Sequence, residues 1–338
     1  MDYAEVLANA KKNIGPNCKV CPECNGLACA NTMPGPGSKA PGNGANDNWK
    51  AWRGIKLNMD TIYPDAPVDT GIELFGKRLS MPLISAPVGS LKAQYTPTDD
   101  IRDFNDCCAQ AAEICGIASS FGDGLDARVF PHGCELSRAH GGIAIPVINP
   151  LSMETIKANL DLANAAHPFA VSLVIDSAGL PHLKKVSPDA GAKSVEQLRE
   201  LCEYAEMPVI IKGIMTAQGA VKAADAGSAA IVVSNHGGRV LAGAAATAEV
   251  LPEIVEAVGG RVKIIVDGGI RSGTDIFRAL ALGADAVMIC RPFLISYYGG
   301  RTDGIVTYVE KLRAELKDAM YMCGARKISD IDRSMIRI

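Results

Sequence analysis

The stretch Ser234-Asn235-His236-Gly237-Gly238-Arg239 closes the apolar run Ala230-Ser234 and is the strongest single sign of the fold. An apolar run that breaks into a histidine, two glycines and an arginine describes a buried strand opening onto a loop shaped for a ligand. The same design recurs on both sides. Upstream, Pro208-Lys212 ends in a lysine; downstream, Val262-Asp267 runs into Gly268-Gly269-Ile270-Arg271, and Ala286-Cys290 into Arg291-Pro292. Chemistry-bearing residues at the ends of successive apolar strands predict an α/β fold of the (β/α)8 TIM-barrel type, which assembles its site at that end.

Four further apolar runs, Pro82-Ala86, Gly116-Ser119, Ile143-Ile148 and Phe169-Asp176, bring the count to eight. Continuous rather than alternating apolar runs are what parallel strands covered on both faces show. Helical periodicity is clearest at Asp99-Cys115, Ser152-Ala165, Ser194-Glu203, Thr247-Val258, Gly273-Leu282 and Val306-Met322. Phe121-His140 shows little helical period, and Ser177-Lys193 reads as a loop. A doubly wound open sheet fits the same alternation; the strand-end residues favour the barrel. The division expected is an N-terminal helix and Cys-rich segment over residues 1–50, then the barrel over residues 51–338.

With 338 residues, 48% of them hydrophobic and 5% aromatic, the chain can bury one barrel-sized core. A net charge of -3 with no long basic run excludes a nucleic-acid footprint, and no apolar run is long enough to span a bilayer. A small-molecule partner fits better. The opening Met1 to Asn17 carries Asp2 and Glu5 and no apolar h-region, so no signal peptide is expected. Eleven cysteines without an export signal predict free or metal-bound thiols in a reducing cytoplasm.

Tyr3-Asn13 reads as an amphipathic helix, and Gly15-Asn48 as a Gly-, Pro-, Asn- and Cys-rich stretch too poor in large apolar residues to order itself. Within it Cys18, Cys21, Cys24 and Cys29 follow C-x2-C-x2-C-x4-C spacing. Four thiolates so close in sequence predict a metal site: an iron-sulfur cluster such as [4Fe-4S], with four-thiolate zinc, free thiols or a redox disulfide as alternatives. The remaining cysteines sit in helix and strand patterns and read as core, apart from Cys134, which has no assigned role.

Gly268 and Gly269 let backbone approach a ligand and present N–H groups to an anion, which Arg271 and Arg291 would neutralise; together they read as a phosphate site. Lys212 at a buried strand end needs a partner, either a neighbouring strand-end acid or the anionic ring of a flavin. His236 has the chemistry of a general base, and Arg239 offers a forked donor for a carboxylate. Asp176 could orient His236. Each of these also admits a plain structural reading.

On these residues the chain resembles the FMN-dependent α-hydroxy acid oxidase and dehydrogenase family, which includes glycolate and lactate oxidases. The resemblance is carried by Leu79-Ser80-Met81-Pro82-Leu83-Ile84-Ser85-Ala86-Pro87, Ile211-Lys212-Gly213-Ile214, Ser234 to Arg239, Asp267 to Asp275 and Arg291-Pro292. A fainter echo lies in Gly44-Ala45-Asn46-Asp47. It implies FMN at the C-terminal mouth, with Ala86-Pro87-Val88 along the flavin face and Ser119 against the ring. Ser234, Asp267, Gly268, Gly269, Arg271 and Arg291 would complete the cofactor site. His236 would be the base, Arg239 the carboxylate anchor and Lys212 the stabiliser of flavin charge. Such barrels are often homo-oligomers.

The departures are equally specific. No tyrosine lies between Tyr3 and Tyr63, where the family places a substrate-contacting one, and Ile143-Ile148 lacks the family's Gln and Tyr. Ser177-Leu183 lacks an arginine that the family supplies after the strand-four aspartate. The expected activity is oxidation of a small carboxylate-bearing 2-hydroxy acid, with electrons leaving through a metal cluster to an electron-carrier protein. A non-redox isomerase of the type 2 isopentenyl diphosphate kind and a non-catalytic flavin or metal redox sensor are the competing expectations.

Overall fold

The structure, a computed structural model, describes residues 1–92, 94–124, 126–180 and 183–338, with Val186 described by its backbone alone. Positions 181 and 182 of the expected loop, and 125 of the weakly patterned connection, lie outside the described residues. Eight parallel strands close in chain order: β1 (Leu83–Ser85), β2 (Ala118–Phe121), β3 (Ala144–Ile148), β4 (Val171–Val174), β5 (Val209–Ile214), β6 (Ala230–Val233), β7 (Lys263–Val266) and β8 (Ala286–Ile289). Each pairs with the next, and β8 returns to β1 through Met288↔Ile84, which completes a (β/α)8 barrel.

Seven of the eight strands are buried from end to end or nearly so, because side chains pointing inward and outward both meet protein. Inside, Ile84, Ile145, Ile210, Val232, Ile265 and Met288 form the barrel core. A hairpin of Ile72–Leu74 and Lys77–Leu79 plugs its N-terminal end with Leu74 and Leu79. With that end packed by the hairpin, the C-terminal mouth is where the described residues form a large cavity.

The helices are α1 (Tyr3–Asn13), α2 (Gly44–Gly54), α3 (Ile101–Cys115), α4 (Val129–Ala139), α5 (Met153–Ala166), the single turn α6 (Leu183–Val186), α7 (Val195–Tyr204), α8 (Ala217–Asp225), α9 (Thr247–Val258), α10 (Gly273–Ala281) and α11 (Arg291–Met322). Local chemistry sets several ends. Asp100 caps α3 by accepting from Arg102 N, and Gly116 stops it at φ +66°; Ser152 and Ser194 cap α5 and α7. α11 is two helices broken at Gly300 and Arg301, and the expected Val306-Met322 helix is its second half.

Four helices differ from expectation, the first being the single turn α6, which lies in the stretch Ser177-Lys193 read as a loop. α4 fills the weak connection, disguised by Pro131 and Gly133 and by the lack of a side-chain cap. α8 is Ala- and Gly-rich and buries Ala220 and Ala223, so its apolar stripe is thin. α2 emerges from the stretch read as irregular because the face it buries is mostly Ala45, Asn46, Asn48 and Trp52; the expected division after residue 50 falls inside it. Between α1 and α2 the chain forms a strap whose Gly35, Pro36, Gly37 and Ser38 are buried at the barrel mouth.

Candidate active site

The loop after β6 places His236 at φ +55°, followed by Gly237 at +64° and Gly238 at +76°. A left-handed histidine is strained and persists only where its surroundings hold it. Ser234 Oγ accepts from His236 N at 3.1 Å, and His236 Nδ1 lies 3.2 and 3.1 Å from the two oxygens of Asp176, just past β4. Asp176 is deeply buried. Burial raises its pKa, but the charges of His236 and Lys212 and the histidine hydrogen bond outweigh it, so the net shift is downward. An ionised Asp176 accepts from Nδ1–H and leaves Nε2 as the basic nitrogen.

Lys212, at the end of β5, is buried; its Nζ donates to Ser234 Oγ at 2.7 Å and pairs with Asp267 Oδ2 at 3.1 Å. Burial lowers the ammonium pKa, yet the charges of Asp267 and Asp176 prevail and the net shift is upward. The strand-end acid is therefore its partner in the protein itself. Asp267 Oδ1 is buried with no hydrogen-bond partner, an acceptor left open beside the glycine loop.

Gly268 and Gly269 stand at φ +86° and +83°. A Cβ on Gly269 would lie 2.5 Å from the Asn48 carbonyl carbon, so α2 packs backbone against the cradle. Trp52 Nε1 also donates to Gly268 O at 2.7 Å, and Asn48 and Asn235 exchange amide hydrogen bonds at 2.8 and 2.9 Å. α2 thus fixes both loops of the mouth. This is the role behind the faint Gly44-to-Asp47 echo.

The three site arginines all hold the strap. Arg239 Nη1 donates to Gly35 O and Gly37 O at 2.5 and 2.8 Å, Arg291 Nε to Pro36 O at 2.9 Å, and Arg271 Nε to Cys24 O at 2.5 Å. Arg239 Nε and Nη2 have no partner among the described residues, which leaves one donor edge for an anion. Burial first, then Arg291, lowers the Arg239 pKa, so this guanidinium gains from an arriving negative charge.

These groups line one cavity of about 510 Å³, with Ala86, Pro87, Val88, Lys212, His236, Arg239, Asp267, Gly268, Gly269, Arg271 and Arg291 in its wall. The positive-φ cradle, the open Asp267 oxygen and the two flanking arginines fit an anionic cofactor carrying a phosphate and a polar ring. Ser119 and Ser234 lie behind that wall: Ser119 Oγ is 2.6 Å from Ser85 Oγ, and Ser234 supports Lys212 and His236.

Several wall residues carry no expectation from the sequence. Met33, Pro34 and Pro36 of the strap form part of the wall, and Tyr95, Asp123 and Asn149 reach it from the loops after β1, β2 and β3. Asp123 receives Asn149 N at 2.7 Å and also the Asn149 amide; burial pushes its pKa up to about 7 against these hydrogen bonds. An acid between two glycines at a strand end, Gly122-Asp123-Gly124, was the available signal.

The cysteines depart from expectation. Among the described residues no group of three or more His, Cys, Asp or Glu side chains is arranged to hold a metal ion, and all eleven cysteines are free. Cys18, Cys21, Cys24 and Cys29 do share a neighbourhood. Burial pushes the Cys18 thiol up to about 11, with added pressure from Cys24, Cys29 and Cys21, and the Cys21 and Cys29 thiols also shift upward. The strap is ordered instead by the arginine clasps and by Asn43 and Asn46 side chains donating to Gly26 O and Asn25 O at 3.3 and 2.9 Å. The arrangement does not support the iron-sulfur or zinc expectation.

A closed barrel with a histidine-aspartate pair, a buried lysine and an anion cradle at its mouth defines a flavin-type oxidoreductase. The chain belongs to the FMN-dependent dehydrogenase family, whose pattern matches residues 37–124 and 151–338. It is 45% identical over 319 residues to a 2-hydroxyacid oxidase of Dictyostelium discoideum, covering 86% of this chain and 81% of that one. It is 33% identical over 301 residues to a 4-hydroxymandelate oxidase of Amycolatopsis orientalis, covering 77% and 80%. Among solved structures, a mandelate oxidase variant with 2-hydroxy-phenylacetamide superposes with a TM-score of 0.79 at 27% identity, covering 99% of this chain and 97% of that one.

Proposed function

We propose that the protein oxidises a small 2-hydroxy acid, with His236 as the base that takes the hydroxyl proton and Arg239 as the anchor of the carboxylate. The observation that carries this reading is His236, backed by Asp176, in one cavity wall with Arg239 and Lys212. FMN, when bound, supplies the acceptor of the hydride. Gly268, Gly269, Arg271 and Arg291 would hold its phosphate, and Lys212 would present positive charge to its ring.

The chain's own groups do the rest. Asp176 fixes the tautomer of His236 and stabilises the imidazolium that forms once Nε2 holds the substrate proton. The free edge of Arg239 aligns the carboxylate, so the hydroxyl-bearing carbon has one orientation. Strap residues Met33, Pro34 and Pro36 keep water from the substrate side of the cavity.

Relatives named as oxidases support dioxygen as the electron acceptor; a carrier protein is the alternative, and oxygen uptake with and without an added carrier separates them. The iron-sulfur or zinc centre at Cys18, Cys21, Cys24 and Cys29 forms no part of this reading. A cytoplasmic location agrees with eleven free thiols, and no helix among the described residues is long and apolar enough to cross a membrane. A homo-oligomer is part of the proposal, tested by light scattering. The activity is tested by oxygen uptake with 2-hydroxy acids. His236→Ala is expected to lower turnover by roughly 10²- to 10⁴-fold with FMN retained; full activity in that variant overturns the base assignment.

A further inference from the structure

One phenol at the mouth takes no part in the steps above. Tyr95, in the loop after β1, lines the same cavity as His236 and Arg239 and is only 5% exposed. Its backbone is pinned: Tyr95 N donates to Leu91 O at 2.8 Å, and Gly15 packs so closely that a Cβ there would lie 2.6 Å from the Tyr95 carbonyl oxygen. Its ring rests against Tyr298 with centroids 6.0 Å apart.

Among the described residues its hydroxyl has no hydrogen-bond partner, although a buried tyrosine hydroxyl normally finds one. Nor is that oxygen among the sealed, unpartnered polar atoms of the structure, so its open side is the cavity. Burial pushes the phenol pKa well above its usual value, and Cys290, Arg291, Cys18 and Arg239 are the ionisable groups that act on it. It therefore remains a neutral O–H donor at any working pH, near two guanidinium groups and facing no carboxylate among them. A fixed donor open only to a cavity, beside an arginine with a free edge, matches the oxygen of an incoming anion.

We propose that Tyr95 is a substrate-anchoring residue whose O–H donates to the carboxylate held by Arg239. This rests on the 2-hydroxy acid reading given above. It also accounts for how the pocket works without tyrosines in the N-terminal segment and on β3: the phenol is supplied from the β1 loop instead.

The test is Tyr95→Phe, which keeps the ring and its packing. FMN-loaded wild type and variant are titrated with oxalate, an unreactive dicarboxylate, by the change in flavin absorption, and FMN affinity is measured separately by fluorescence quenching. The expected result is oxalate binding weakened roughly tenfold, as for loss of one hydrogen bond to a charged group, with FMN affinity unchanged. KM for the oxidised acid rises more than kcat falls. Unchanged oxalate binding overturns the proposal, and so does a loss confined to FMN affinity, which would assign the phenol to the cofactor's phosphate end near Arg291. A wild type that neither binds oxalate nor oxidises any 2-hydroxy acid defeats the functional reading itself; a wild type that does both, with an unaltered variant, defeats only the role of Tyr95.

Discussion

At the residue scale the mouth is built from groups that cannot be exchanged singly. Lys212 and Asp267 are a buried pair, so Lys212→Met leaves a carboxylate without its cation and should destabilise the FMN-free protein by about 3 kcal/mol. The double variant Lys212→Met, Asp267→Asn should recover most of that in thermal unfolding while FMN reduction stays slow. Asp123 sets a pH dependence. Its pKa is raised to about 7 in the folded protein, against about 3.9 unfolded, so the folded state binds the extra proton between those values. Its contribution is therefore present below about pH 4 and is lost as pH rises towards about pH 7, by up to about 4 kcal/mol. Thermal melts across that window should show a flatter slope for Asp123→Asn than for wild type, whatever the variant's absolute stability.

At the scale of elements, α2 and the strap make the difference between a barrel and a site. Gly269→Ala would place a methyl group against the Asn48 backbone at a positive-φ position, costing roughly 2 kcal/mol and releasing FMN; the check is an unfolding curve with and without cofactor. Arg239→Lys keeps the charge but not the planar group whose Nη1 holds Gly35 O and Gly37 O while a second edge stays free. Limited proteolysis should then cut the strap faster, and KM should rise. The strands were legible because parallel, doubly covered strands must be apolar throughout, and His236, Lys212 and Asp267 were legible because each ends such a run. α2 was not: it buries asparagines against the cradle, and no hydrophobic period records a polar buried face. Tyr95 was invisible for a related reason, since a loop residue far from its strand end is brought to the mouth by closure of the barrel rather than by spacing, whereas Asp123 left only the weak signal of an acid between two glycines.

At the scale of the whole molecule, the plugged N-terminal end and the clasped strap leave one cavity in which cofactor cradle, base and carboxylate anchor face each other. The strap is held by hydrogen bonds to three arginines, so treatment with a chelator should leave its thermal stability and FMN binding unaltered; a lower melting temperature on metal removal would show that the cysteines staple it. The most direct test of the account is an anaerobic titration of the FMN-loaded protein with a panel of 2-hydroxy acids, followed by the visible flavin absorption. Bleaching by at least one acid is expected in the wild type and none in His236→Ala with FMN still bound. A wild-type flavin that no 2-hydroxy acid bleaches, or equal bleaching in the histidine variant, would contradict it.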